Sequence, residues 1–203
     1  MAKTQAMAGQ GLRRRLAALV LLAACIVPAG ALAQGSDDLA SLREQVMALH
    51  SQGKYAEATP LAERYADLAR RRHGEQHPEF ATAVGWLATI YFSQGRTAEA
   101  EALYKRALDI TERALGPDHP AVATLLANLA TLCRAQGRYA DAEVLYRRSL
   151  AIREKALGAN HPDVAASLEG LAGLYQAQGR TGDAELLYGR ARAIRGKAPD
   201  LGR

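Results

Sequence analysis

Three histidines stand at a fixed interval: His77, His119 and His161 are 42 residues apart, and each is followed by proline. Imidazoles that recur in a short chain are candidate metal ligands or members of a proton relay. Carboxylates recur too, as Glu99, Asp141 and Asp183 and as Glu101, Glu143 and Glu185. Two carboxylates held close together are the equipment of general acid and base catalysis. Cys133 adds a thiol, which is a nucleophile only where its neighbours lower its pKa. Chemistry requires that such groups converge on one point, so the elements that carry them decide the matter.

Those elements repeat. In units of 42, HPEFATAVGWLATIYFSQGRTAEAEALYKRALDITERALGPD is followed without a gap by HPAVATLLANLATLCRAQGRYADAEVLYRRSLAIREKALGAN and then by HPDVAASLEGLAGLYQAQGRTGDAELLYGRARAIRGKAPDLGR. A divergent copy precedes them, with Gly53 and Gly74 in register with Gly95 and Gly116. Each unit holds two helical patterns around a glycine turn, at Gly53, Gly95, Gly137 and Gly179. Apolar residues recur at helical spacing on both, as Leu125, Leu129, Leu132 and Cys133 on one and Ala142, Leu145, Tyr146, Leu150 and Ile152 on the other. Neither helix buries that face alone; stacked hairpins supply the core. With aromatics at 5% and no alternating β-branched runs, the predicted fold is an all-α solenoid of about three and a half hairpins.

This arrangement decides the reading of the histidines. Equivalent residues of stacked hairpins lie on the order of 10 to 20 Å apart, so one metal ion does not bridge them. Gly74, Gly116 and Gly158 are placed to end helices in a left-handed conformation. Pro78, Pro120 and Pro162 suit the first turn of the next helix, which puts each histidine at or near an N-cap. The periodic carboxylates read as solvated helix surface, and Cys133 as a buried, inert thiol. No HExxH, CxxC, nucleophile motif or phosphate-binding glycine loop is present. A non-catalytic protein is expected, with no cofactor, no metal and no catalytic residues.

The N-terminus carries its own signal. Lys3, Arg13, Arg14 and Arg15 precede the apolar run LAALVLLAACIVPAGALA, which ends in Ala31-Leu32-Ala33. That order is the layout of a secretory signal peptide over 1-33, with Gln34 as the new N-terminus and a periplasmic or secreted product. Two other fates stay open. LAAC at residues 22 to 25 matches a bacterial lipobox, which would acylate Cys25 and anchor the protein at the envelope. A retained membrane anchor is the third, although Pro28, Gly30 and the Ala-x-Ala ending favour removal. The leader holds four of the 26 basic residues and none of the 21 acidic ones. The mature chain is therefore near neutral, and nucleic acid is not an expected partner.

The repeat resembles the tetratricopeptide repeat (TPR) in its 42-residue form, found in kinesin light chains and many bacterial proteins. The resemblance rests on Ala88, Gly95, Ala100 and Tyr104; on Ala130, Gly137, Ala142 and Tyr146; and on Ala172, Gly179, Ala184 and Tyr188. The phrases NLATL, AQGRYADAE and YRRSLAIREKALG are similar to the kinesin-light-chain version. The resulting division is a first TPR-like hairpin over 34-76, repeats over 77-118 and 119-160, and a terminal capping repeat with a short tail over 161-203. Departures are expected to matter. Ala62 stands where later units have tyrosine, and Pro60 inside the first helix B predicts a kink or a loosened helix. Arg192 and Pro199 replace leucines of earlier units, so the last unit is expected to end the solenoid with a polar face.

What the resemblance implies about function is a concave groove, lined by the first helix of each unit, that holds a protein partner. The groove positions it carries over include Trp86, Thr89 and Phe92; Asn128, Thr131 and Arg134; and Glu169 and Gln176. The Lys/Asn/Arg set of the TPRs that clamp C-terminal carboxylates is missing. Trp86 is expected either to anchor a ligand or to pack on the first repeat. Asn128 is expected to bond a peptide backbone, and Arg134 to meet an acidic group. The predicted function is an adaptor that binds a peptide or helix of an envelope protein. A lipidated structural component of an outer-membrane assembly, or a self-associating scaffold, is the alternative.

Overall fold

In the computed structural model, which describes residues 38–196, each His-Pro begins a helix. Eight helices follow one another among the described residues: α1 (Leu39–Ser51), α2 (Tyr55–His73), α3 (Pro78–Ser93), α4 (Thr97–Leu115), α5 (Pro120–Ala135), α6 (Tyr139–Leu157), α7 (Pro162–Ala177) and α8 (Thr181–Arg195). They form four hairpins, α1 with α2 through α7 with α8. The first is a complete pair, shortened in α1 to 13 residues where α3, α5 and α7 have 16. The signal peptide, Cys25, Gln34 and Pro199 lie outside the described residues.

Local chemistry sets each helix boundary. At the start of α5, His119 has extended backbone and its Nδ1 accepts the N–H of Ala121 at 3.1 Å, while Pro120 holds the first helical position. His77 and His161 cap α3 and α7 in the same way, on Glu79 and Asp163. A ring nitrogen thus satisfies a donor that the first turn leaves without a partner. At the far end of α5, Arg138 N–H bonds the Cys133 carbonyl at 2.9 Å around Gly137, whose φ is 75°. This is a Schellman closure, which a side chain at Gly137 would strain. Gly116 ends α4 differently from the expected left-handed form. Its φ of 89° is positive, but its ψ of 156° is extended, a region that only glycine occupies freely.

Packing follows the 3.6-residue period. On α5, Val122, Leu125, Leu126, Leu129, Leu132 and Cys133 are buried. On the second helices, Tyr104 and Tyr146 are 2% exposed and their hydroxyls meet Thr89 and Thr131 at 2.9 and 2.8 Å. Burial pushes the Cys133 thiol above its ordinary pKa, which disfavours the reactive thiolate. α3 and α5 each contact their own second helix, the preceding second helix and the next first helix. Successive second helices stand farther apart along the backbone and are tied by long side chains, Arg148 of α6 to Glu112 of α4 at 2.6 Å and Arg190 of α8 to Glu154 of α6. The first helices therefore make the tighter, inner layer.

Two departures have visible consequences. α2 continues through Pro60 without interruption. There Gln94 of the second hairpin donates to Tyr55 O at 3.1 Å and to Thr59 Oγ1 at 2.8 Å, holding the turn that the proline leaves one donor short. At the other end, Arg192 is exposed where Leu108 and Leu150 are half-buried. The outward face of the last described hairpin is more polar there than in the earlier units.

Candidate functional site

A cavity of about 420 Å³ opens on the inner layer between α3 and α5. Pro78, Thr82, Gly85, Trp86 and Thr89 come from α3, and Ala121, Thr124, Leu125 and Asn128 from α5. Thr111 and Leu115 at the end of α4 lie behind them, and His50 at the end of α1 closes one side. α3 and α5 approach closely here because Gly85 has no side chain; a Cβ at that position would meet Leu125 Cδ2 at 3.2 Å. The walls are mainly apolar, with hydroxyls and one amide placed among them.

Of the groove residues read from the sequence, Trp86, Thr89 and Asn128 meet at this cavity. Trp86 is half-buried, set between the first hairpin and the cavity. It packs against the cluster of Val46, Ala58 and Ala62 from the first hairpin, with the His50 ring edge-on at 6.0 Å, and it still lines the cavity. Ala62 leaves room for it, where a tyrosine stands in later units. Asn128 is half-buried, and its side chain has no hydrogen-bond partner among the described residues. An amide in that condition is available to a ligand.

Thr89, although it lines the cavity, and most of the remaining groove residues have internal partners. The Thr89 hydroxyl bonds Gly85 O at 3.0 Å and Tyr104 at 2.9 Å. Thr131 does the same with Ala127 O and Tyr146, at 2.9 and 2.8 Å. Both hydroxyls are thereby committed to holding a second helix against its first. Phe92 is half-buried against the core of the first two hairpins. Glu169 accepts from Arg195 at 2.6 Å, and Gln176 from Tyr188 at 3.3 Å. Arg134 makes no ion pair among the described residues; its guanidinium lies over Gly173, 3.1 Å from where a Cβ would be.

His50, Thr111, Leu115 and Leu125 belong to the cavity without having been singled out in the sequence. One signal for them was present. Thr111 and Ala107 are both small where the neighbouring units carry larger side chains, Tyr65 and Arg153, in the same register. Among the described residues no group of three or more His, Cys, Asp or Glu is placed to hold a metal ion. None of the described helices is long and apolar enough to cross a membrane.

Stacked helical hairpins with a groove on the inner layer define the molecule as an α-solenoid of the scaffold type. Tetratricopeptide repeat models match residues 79–155 and 129–197, and a further one matches 39–79. The chain belongs to the tetratricopeptide repeat family, in its kinesin-light-chain-like form. A putative kinesin light chain from Podospora anserina with nearly identical TPR-like repeats is 29% identical, with 84% of this chain and 83% of that one covered and a TM-score of 0.62. BtubC (BKLC) from P. vanneervenii shares the fold at 24% identity and a TM-score of 0.68, covering 81% of this chain and 66% of that one. The apo form of RapI shares it at 15% identity and a TM-score of 0.66, over 80% of this chain and 57% of that one. The chain thus spans less than two thirds of both BtubC and RapI. No curated protein sequence matches it.

Proposed function

We propose that the protein is a non-catalytic adaptor that holds a peptide or helix of an envelope protein against the inner layer of its solenoid. One observation carries the reading: a cavity between α3 and α5 whose apolar walls include Trp86 and whose Asn128 amide has no partner among the described residues. Apolar walls supply affinity and a lone amide supplies orientation, the combination that peptide-binding grooves use. Membership in a repeat family built for protein contacts supports the same reading. The periplasmic or secreted location rests on the sequence of the leader, and the domain division given above rests on the leader for its first boundary and on the register of the repeat for the others.

The test is affinity capture from an envelope extract. The bait is the chain with its leader and a C-terminal tag, run beside a Trp86→Ala, Asn128→Ala, Arg134→Ala variant of equal helicity. The expected result is a partner retained by the wild type and lost by the variant; identical captures would sink the groove reading. The intact mass of the recovered bait reports its processing, with Gln34 expected as the first residue and an acylated Cys25 overturning that placement.

A further inference from the structure

The register of the repeat explains why a cavity opens between the second and third hairpins. Two rows of second-helix residues face the gaps between hairpins: Tyr65, Ala107 and Ser149 in one row, and Ala69, Thr111 and Arg153 in the other. In the first hairpin the large residue is Tyr65, fully buried, with its hydroxyl donating to Glu79 Oε1 across the interface at 2.6 Å. In the third it is Arg153, 8% exposed. Its Nη1 donates to Ser167 Oγ at 2.7 Å and to the Asp163 carbonyl at 3.2 Å, and its Nη2 to Thr124 Oγ1 at 3.2 Å. In the second hairpin both positions are short, and the space stays open. The three groups that receive Arg153 correspond, one repeat earlier, to Thr82, Ala121 and Leu125, and all three line the cavity.

We infer that this cavity is the receptor for an arginine side chain of the docked segment, an inference that rests on the adaptor reading above. The protein itself holds a guanidinium in the equivalent space, on two hydroxyls and a carbonyl and with no carboxylate bonded to it among the described residues. Thr124 manages this because its hydroxyl donates to Pro120 O while accepting from Arg153. Thr82 is in the same state, donating to Pro78 O at 3.0 Å with lone pairs left to accept. Ala121 keeps the backbone carbonyl, and Asn128, where the next interface has Gly170, adds an amide oxygen in place of the lost serine. Trp86, Leu115 and Leu125 supply apolar walls for the three methylenes of the stem. A planar fork of five donors suits acceptors spread around a pocket; the compact ammonium of lysine does not. Arg153 reaches its site from α6, at the back, whereas the partner's arginine enters from the open side.

Trp86 is the only tryptophan in the chain, so its emission reports on the cavity directly. The experiment titrates the full-length protein with blocked Ala-Ala-Xaa-Ala-Ala peptides in which Xaa is arginine, citrulline, lysine or norleucine. The arginine peptide is expected to shift the emission saturably, and the other three to bind about tenfold more weakly or worse. Thr111→Arg delivers a guanidinium from α4 and is expected to shift the emission without peptide and to abolish the response. Should that variant not fold, Leu125→Ser restores the third acceptor and is expected to tighten the arginine peptide about threefold. Norleucine binding as well as arginine would overturn the inference while leaving the groove adaptor intact. A missing arginine response, or one that neither folded variant changes, would overturn it too, whereas the adaptor reading falls only on identical captures.

Discussion

His119 does its work with one lone pair. Its Nδ1 accepts the Ala121 N–H at 3.1 Å, and Pro120 removes the neighbouring donor altogether, so the first turn of α5 is closed by two residues. Replacing a capping side chain by alanine costs about 0.5 to 2 kcal/mol. His119→Ala is therefore expected to lower the unfolding free energy read by urea titration by that amount, and His119→Asn to restore most of it, because asparagine also accepts from the first turn. Equal loss in both variants would assign the histidine to packing instead. The same lone pair turns each of the three regularly spaced imidazoles toward its own helix.

Between elements, side-chain absence matters as much as side-chain contact. A Cβ at position 170 would come within 2.6 Å of Tyr146 Cε1, and the Tyr146 ring is held from its other end by Thr131. Gly170→Ala must therefore displace a ring that bridges α5, α6 and α7, at a cost of about 1 to 3 kcal/mol. Gly189 makes the control, since it lies inside α8 with nothing within 4 Å of an added Cβ. Gly189→Ala is expected to stabilise by up to about 1 kcal/mol through helix propensity. Thermal unfolding followed by circular dichroism reads both, and a harmless Gly170→Ala would show the ring to be free to move.

Across the whole molecule, successive repeats are tied by charge as well as by burial. Glu101 of α4 accepts from Lys105 on its own helix at 2.7 Å and from Arg138, in the following repeat, at 3.0 Å. These two partners, Lys105 first, hold its carboxyl down to about 2. An unfolded glutamate titrates near about 4.3, so the folded value is the lower one. The stability from this group is fully present above the unfolded value and is lost as the pH falls toward 2. Wild type is expected to exceed Glu101→Gln in urea midpoint at pH 7, with the difference closing between roughly pH 4.5 and 2. A difference that does not change over that range would remove the carboxylate from the coupling. Arg180 reaches Glu143 one repeat further on, at 3.5 Å, which makes the tie a property of the array.

Periodicity alone specified most of this architecture. Spacings of three and four set the helices, glycine and His-Pro set their ends, and the 42-residue register set the order of stacking, because each of these acts over a single turn or a single repeat. Trp86 and Asn128 were named as groove positions by the resemblance to the tetratricopeptide repeat, and both line the cavity. The cavity was decided by tertiary structure. Its shape depends on Ala107 and Thr111 being short together, on Gly85 letting α5 approach, and on Leu115 and His50 arriving from other helices. Thr89 and Thr131 show the converse, being groove residues by position whose hydroxyls are claimed by Tyr104 and Tyr146. Sequence states which side chains a repeat contributes to a face; the volume left between two repeats is a difference between packed surfaces, and it exists only once both are in place.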